Sequence, residues 1–165
     1  MKTQITLAAS LFLGSITMAM AATPLSVQDK AFIRQAAIGG MAEVQAGKMA
    51  VAKGGSTSVK EFGQHMIDDH VPNNQALMTL AQQKGAAVPA SLDHAHEKQA
   101  IMLQKETGRS FDKAYIHGQV IGHERMAQVM AVEIKSGADP DLIAFAQKTL
   151  PVVEEHLKMA RQLKD

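Results

Sequence analysis

The sequence predicts an all-α protein: four long helices in a bundle, with a long, partly helical crossover joining the second to the third. Three observations predict it. Apolar residues recur every three or four positions along most of the chain, which is the repeat of one helix face. Glycine and proline punctuate these periodic segments, and no strand-like alternation is seen. The stretch from Ala86 to Arg109 is far longer than an ordinary helix-to-helix loop, so it can run the length of a bundle and permit an up-down-down-up order.

Residues 1–21 read as a secretory signal. Lys2 precedes an apolar run from Ile5 to Met20, and Ala19-Met20-Ala21 offers a small-x-small cleavage site. The mature chain is then expected to be one domain, residues 22–165, periplasmic or secreted. It contains no cysteine, so export brings neither a disulfide nor a lipid anchor on a cysteine.

The first helix is expected from Ser26, a good N-cap, to Lys53, where Gly54-Gly55 ends it; its stripe is Phe32, Ala36, Gly40, Glu43, Gly47 and Ala50. The second starts after Ser56 or Ser58, carries Val59, Phe62, Met66, His70, Asn74, Leu77 and Ala81 on one face, and stops at Gly85. A short helix from about Ser91 to Glu106 occupies the connector. The third long helix follows Ser110, with Ile116, Val120, His123, Ala127, Met130 and Ile134 in register, and closes at Gly137. Asp139-Pro140 opens the fourth in the favoured cap-then-proline order. Its stripe is Leu142, Phe145, Thr149, Val152, His156, Met159 and Leu163.

Each long helix thus carries one ligand-type residue near the centre of its apolar face: Glu43, His70, His123 and His156. Counted from their turns, the two in each hairpin lie level within about one helical turn of 5.4 Å. Buried polar groups need partners, and four that converge point to a shared ion. Three imidazoles and a carboxylate suit a transition metal, zinc or copper ahead of iron. Asp69, Asn74, Gln119 and Glu155 are expected to orient these ligands by hydrogen bonds.

Pro72 and Pro151 each remove a backbone donor near the acid-acid-histidine triplets Asp68-Asp69-His70 and Glu154-Glu155-His156, so both helices are expected to kink there. His65 and His117 fall on polar faces and His94 and His96 in the connector; all four read as solvated. Met66, Met126 and Met159, one turn from the three central histidines, read as core filler. The alternative to a metal centre is a structural polar layer that fixes helix register in a metal-free interaction protein of the cell envelope.

Charge narrows the partners. The whole chain has 17 Lys and Arg against 16 Asp and Glu, and the balance becomes even once Lys2 leaves with the signal. With one tyrosine and no tryptophan, the chain has neither the basic field nor the stacking surface of a nucleic-acid binder. No membrane insertion of the mature chain is expected, and the residues are compatible with a homo-oligomer.

Taken together, Glu43-x3-Gly47, Met66-x2-Asp69-His70-x3-Asn74, Phe111-Asp112-x2-Tyr115 with Gln119-x3-His123, and Leu150-Pro151-x4-His156 form a pattern. It resembles the bacterial envelope family called domain of unknown function four-one-four-two, whose members are often labelled outer-membrane proteins and grouped with ferritin-like bundles. The resemblance implies a ferritin-like four-helix bundle, exported beyond the inner membrane, with no established activity. Ile67 and Val153 stand three residues before His70 and His156, where di-iron bundle enzymes carry a glutamate. That departure speaks against ferroxidase or oxygenase chemistry, and a closed set of four protein ligands would leave no open position for substrate. Binding, buffering or stress protection is therefore expected rather than catalysis.

Overall fold

The structure, a computed structural model, describes residues 24–164; the expected signal lies outside them. Five helices make up the described chain: α1 (Val27–Lys53), α2 (Thr57–Gln83), α3 (His94–Lys105), α4 (Gly108–Ser136) and α5 (Pro140–Lys164).

The helix ends follow from their capping residues. Ser26 Oγ accepts from Asp29 N at 3.0 Å while Asp29 Oδ2 accepts from Ser26 N at 2.7 Å, a reciprocal capping box at the start of α1. Ser56 caps α2 through Val59 N. At the far end of α2, Gly85 adopts φ 66°, and Ala86 N reaches Ala81 O at 2.8 Å, a Schellman closure that needs glycine's left-handed freedom. Asp139 Oδ1 caps α5 by accepting from Asp141 N and Leu142 N. The α4 start differs from expectation: Thr107 is its N-cap, makes no side-chain cap bond, and the helix begins at Gly108, ahead of Ser110. Both α2 and α5 continue through Pro72 and Pro151.

Two sets of end contacts establish the topology. At one end Gly54 bridges to Gly108, and the Asp112 carboxylate accepts from Gly55 N at 2.8 Å and Ser56 N at 2.9 Å. The turn from α1 to α2 therefore meets the start of α4. At the opposite end Asp29 Oδ1 accepts from Ala138 N at 2.9 Å, and Lys84 Nζ lies 2.8 Å from Asp139 Oδ2. The connector holding α3 therefore crosses the whole bundle, giving the up-down-down-up order. In cross-section α1 packs on α2 and α4, and α5 on α4 and α2, with the α2–α5 seam the thinnest.

The core divides into two apolar clusters, one above and one below the polar middle. Phe32, Ile33, Leu77, Met130 and Leu142 centre the first; Phe62, Met66, Phe111, Tyr115 and Ile116 centre the second. Each fully buried large side chain contributes about 1.5–3 kcal/mol. Along α5 the buried line is Leu142, Ala146, Thr149, Val153, His156 and Ala160, so Val153 takes the inward place expected of Val152, which is 42% exposed. These positions follow the period of about 3.6 residues of an ordinary α-helix, which brings Val153 rather than Val152 inward and still includes His156. The crossover helix α3 buries none of its own residues.

Candidate metal centre

His70 on α2, His123 on α4 and His156 on α5 meet in the bundle's middle layer. Their ring centroids are 5.9 Å (His70–His123), 5.3 Å (His70–His156) and 5.4 Å (His123–His156) apart. One ring nitrogen from each lies within 4.8 Å of the other two. His123 and His156 are each 1% exposed and His70 8%.

Hydrogen bonding on the outer side of two rings decides what the inner side offers. His123 Nδ1 lies 2.9 Å from the backbone carbonyl of Gln119, an acceptor only, so Nδ1 carries the proton and Nε2 keeps its lone pair. His156 Nε2 lies 2.9 Å from Asp69 Oδ2, which likewise places its proton outward and leaves Nδ1 free. His70 Nε2, His123 Nε2 and His156 Nδ1 are all buried without a hydrogen-bond partner. Each such atom costs about 1–3 kcal/mol when nothing satisfies it.

The surroundings keep His70 and His156 in the form that can donate a lone pair. Burial, then the neighbouring His123 and His156, push the His70 pKa down from 6.5 to about 3. Burial also lowers the pKa of His156, against the opposing pull of Asp69. A ligating imidazole must be unprotonated, and in this layer that requires no rearrangement.

Glu43 stands apart from the three rings. Its Oε1 lies 3.9 Å from His123 Nδ1, the nitrogen already committed to Gln119, and its Oε2 accepts from Gln119 Nε2 at 2.6 Å. The space for this carboxylate comes from Gly122, where an added Cβ would stand 3.0 Å from Oε1. Of the four residues expected to orient the ligands, Asp69 bonds His156 with its carboxylate, while Gln119 meets His123 through its backbone carbonyl and turns its side chain to Glu43. Asn74 packs instead into the space left by Gly40. Glu155, expected to orient a neighbouring histidine, points to solvent beside Lys158 at 3.4 Å, because a residue adjacent to an inward ligand is turned about 100° away from it. Glu124 likewise pairs with Arg161 at the surface.

His65 is the residue that sequence reasoning missed. Its side chain keeps much of the solvent contact expected of it, at 43% exposure, yet it also packs edge-on to His156 with centroids 5.3 Å apart, and its Nε2 lies 3.4 Å from Asp69 Oδ2. His65, Asp69 and His156 form a second set whose donor atoms lie within 4.8 Å of one another. The available signal was His65-x3-Asp69, a one-turn spacing on a single helix face.

Two openings reach this layer. A cavity of about 880 Å³ lies between α1, α4 and the overlying α3; Gly39, Gly40, Glu43, Gly118, Gly122 and His123 are among its walls. A smaller cleft of about 180 Å³ lies between α2 and α5, where Asp69, His70 and His156 line it.

The chain belongs to the family described as domain of unknown function DUF4142, whose model matches residues 15–163. No curated protein matches it. Among solved structures, CopM in the Cu(II)-bound form is similar in fold. Its TM-score is 0.70 at 18% identity, covering 82% of this chain and 95% of that one. Among the described residues, no helix is long and apolar enough to cross a membrane.

Proposed function

We propose that this member of the DUF4142 family is an exported periplasmic protein that holds one transition-metal ion, copper or zinc, and serves in metal binding, buffering or stress protection. His70, His123 and His156 would hold the ion. The carrying observation is that three buried ring nitrogens face one another without partners, two of them freed by protons bound outward to Gln119 and Asp69. A shared ion satisfies all three at once.

Charge supports the same reading. Three neutral imidazoles leave a divalent ion uncompensated in a dry interior, which is costly. Glu43 lies beside His123 and Asp69 beside His156, and both would offset that charge. Read from the sequence as the fourth ligand, Glu43 is here a neighbour of His123, and the fourth position is left to water or to a turn of the Glu43 side chain. The bound ion would act as a Lewis acid. Imidazole donors suit both copper and zinc, and the Cu(II) bound by CopM, the similar structure, favours copper.

The test is elemental analysis of untagged protein after loading with Cu(II) or Zn(II), beside His123→Ala and His70→Ala. One ion per wild-type chain is expected, lost or weakened at least tenfold in the variants. Bound ion at about a thousandfold excess over Kd should also raise stability by about 4 kcal/mol. Equal binding by the variants, or melting unaffected by chelator, would leave the layer a device for helix register and overturn the proposal.

A further inference from the structure

We infer that His65, Asp69 and the outer nitrogen of His156 form a second, solvent-reachable cation site through which a metal ion reaches the inner layer, His156 being shared between the two. This rests on the metal reading above and adds a route to it.

The geometry supplies each part. Asp69 Oδ2 lies 2.9 Å from His156 Nε2 and 3.4 Å from His65 Nε2, so one carboxylate oxygen sits between two imidazoles. His65 and Asp69 are one turn apart on α2 and are 43% and 38% exposed, while His156 is 1% exposed. The set therefore runs from solvent to the interior within three residues. It sits beside the α2–α5 cleft, at the thinnest seam of the bundle. Two imidazoles and a carboxylate form a recognised borderline donor set for copper or zinc.

The large cavity also reaches the layer, with His70, Glu43 and His123 among its walls, but there the Glu43 carboxylate is bonded to Gln119 and His123 Nδ1 to a carbonyl. On the α2–α5 side the ion meets His156, whose other nitrogen is itself a donor to the inner layer.

Proton accounting makes the two sites exclusive. A neutral imidazole has one lone pair. With an ion on Nε2, the proton of neutral His156 would reside on Nδ1; with the ion on Nδ1 it would reside on Nε2, hydrogen-bonded to Asp69 Oδ2 as it is here. No proton is gained or lost by His156 in the exchange, and the chain holds one ion at a time.

The experiment uses Cu(II) ion as the probe, with wild type and His65→Gln compared by stopped-flow absorbance during loading and during removal by excess chelator. A shared route lowers the barrier in both directions, so His65→Gln is expected to slow loading and removal alike, about tenfold. Unchanged rates in His65→Gln, or a second Cu(II) held independently at neutral pH, overturn the inference while leaving the inner site standing. A wild-type protein that binds neither Cu(II) nor Zn(II) overturns both readings. Circular dichroism of His65→Gln confirms the fold before the rates are compared.

Discussion

Acidifying the metal-free protein is expected to weaken it through His70. The native pKa of His70 is held near 3, first by burial and then by His123 and His156, while the unfolded chain restores about 6.5. Between those values the unfolded state takes up a proton that the native state refuses. The contribution of His70 is therefore undiminished above pH 6.5 and declines as pH falls toward 3. At about 1.4 kcal/mol per pH unit, His70 alone removes about 2 kcal/mol by pH 5. With an unfolding entropy of about 2.1 cal/mol/K per residue over roughly 140 residues, Tm drops by about 7 °C. His156, also lowered, adds loss of the same sign. Glu133 acts in the opposite sense, because burial raises its pKa and native protein retains its proton to higher pH. The assay is therefore comparative: thermal melts of chelator-treated wild type and His70→Gln between pH 7 and pH 5. His70→Gln should lose about 2 kcal/mol of that pH dependence whatever its baseline stability. Parallel curves for the two proteins would refute the linkage.

Other outcomes follow from the ends and seams of the bundle. Burial raises the Asp29 carboxyl, but hydrogen bonds from Ala138, Ser26 and Asp139 prevail and hold its pKa down at about 2, so Asp29→Ala should cost roughly 2–3 kcal/mol in urea unfolding at pH 7. In wild type that stability persists above pH 3.8 and disappears as pH falls toward 2. Glu133→Gln should stabilise the protein by about 1 kcal/mol at pH 8, since a buried carboxylate beside Asp29 no longer has to ionise; a lower Tm at that pH would contradict this. At Gly63 an added Cβ would stand 2.6 Å from Ala50 Cβ and 2.9 Å from Gly47 O. Gly63→Ala should therefore lose about 1–3 kcal/mol by overpacking, despite alanine's better helix propensity, and a gain in Tm would show that α1 and α2 can part without cost.

The helices, their caps and the three central histidines were legible because each depends on spacing within one segment. Ser26, Gly85 and Asp139 act on neighbours a few residues away, and His70, His123 and His156 lie on apolar stripes that must face inward. What escaped depends on how one helix is rotated against another. His65 is about 140° around α2 from His70 and would be a surface residue on an isolated helix; it meets His156 only because α5 lies along that flank. Glu43 leaves the histidine layer because Gly122 on α4 opens a space beside it and Gln119 supplies a donor. The buried pair of Asp29 and Glu133 joins residues from opposite ends of the chain. Only the Ser26-x-x-Asp29 spacing hinted at it, and that signature reports a cap rather than a long-range contact.

The three central imidazoles belong to two separate hairpins, with His70 contributed by one and His123 and His156 by the other. Each hairpin can close through contacts near in sequence, whereas the layer exists only once the two halves have docked. Any reagent that senses all three rings together is thus a gauge of assembly, blind to halves that have formed but not yet joined. In a chain without a single cysteine, a cation gripped there would add a coordinate link across that seam to the polar contacts at its two ends.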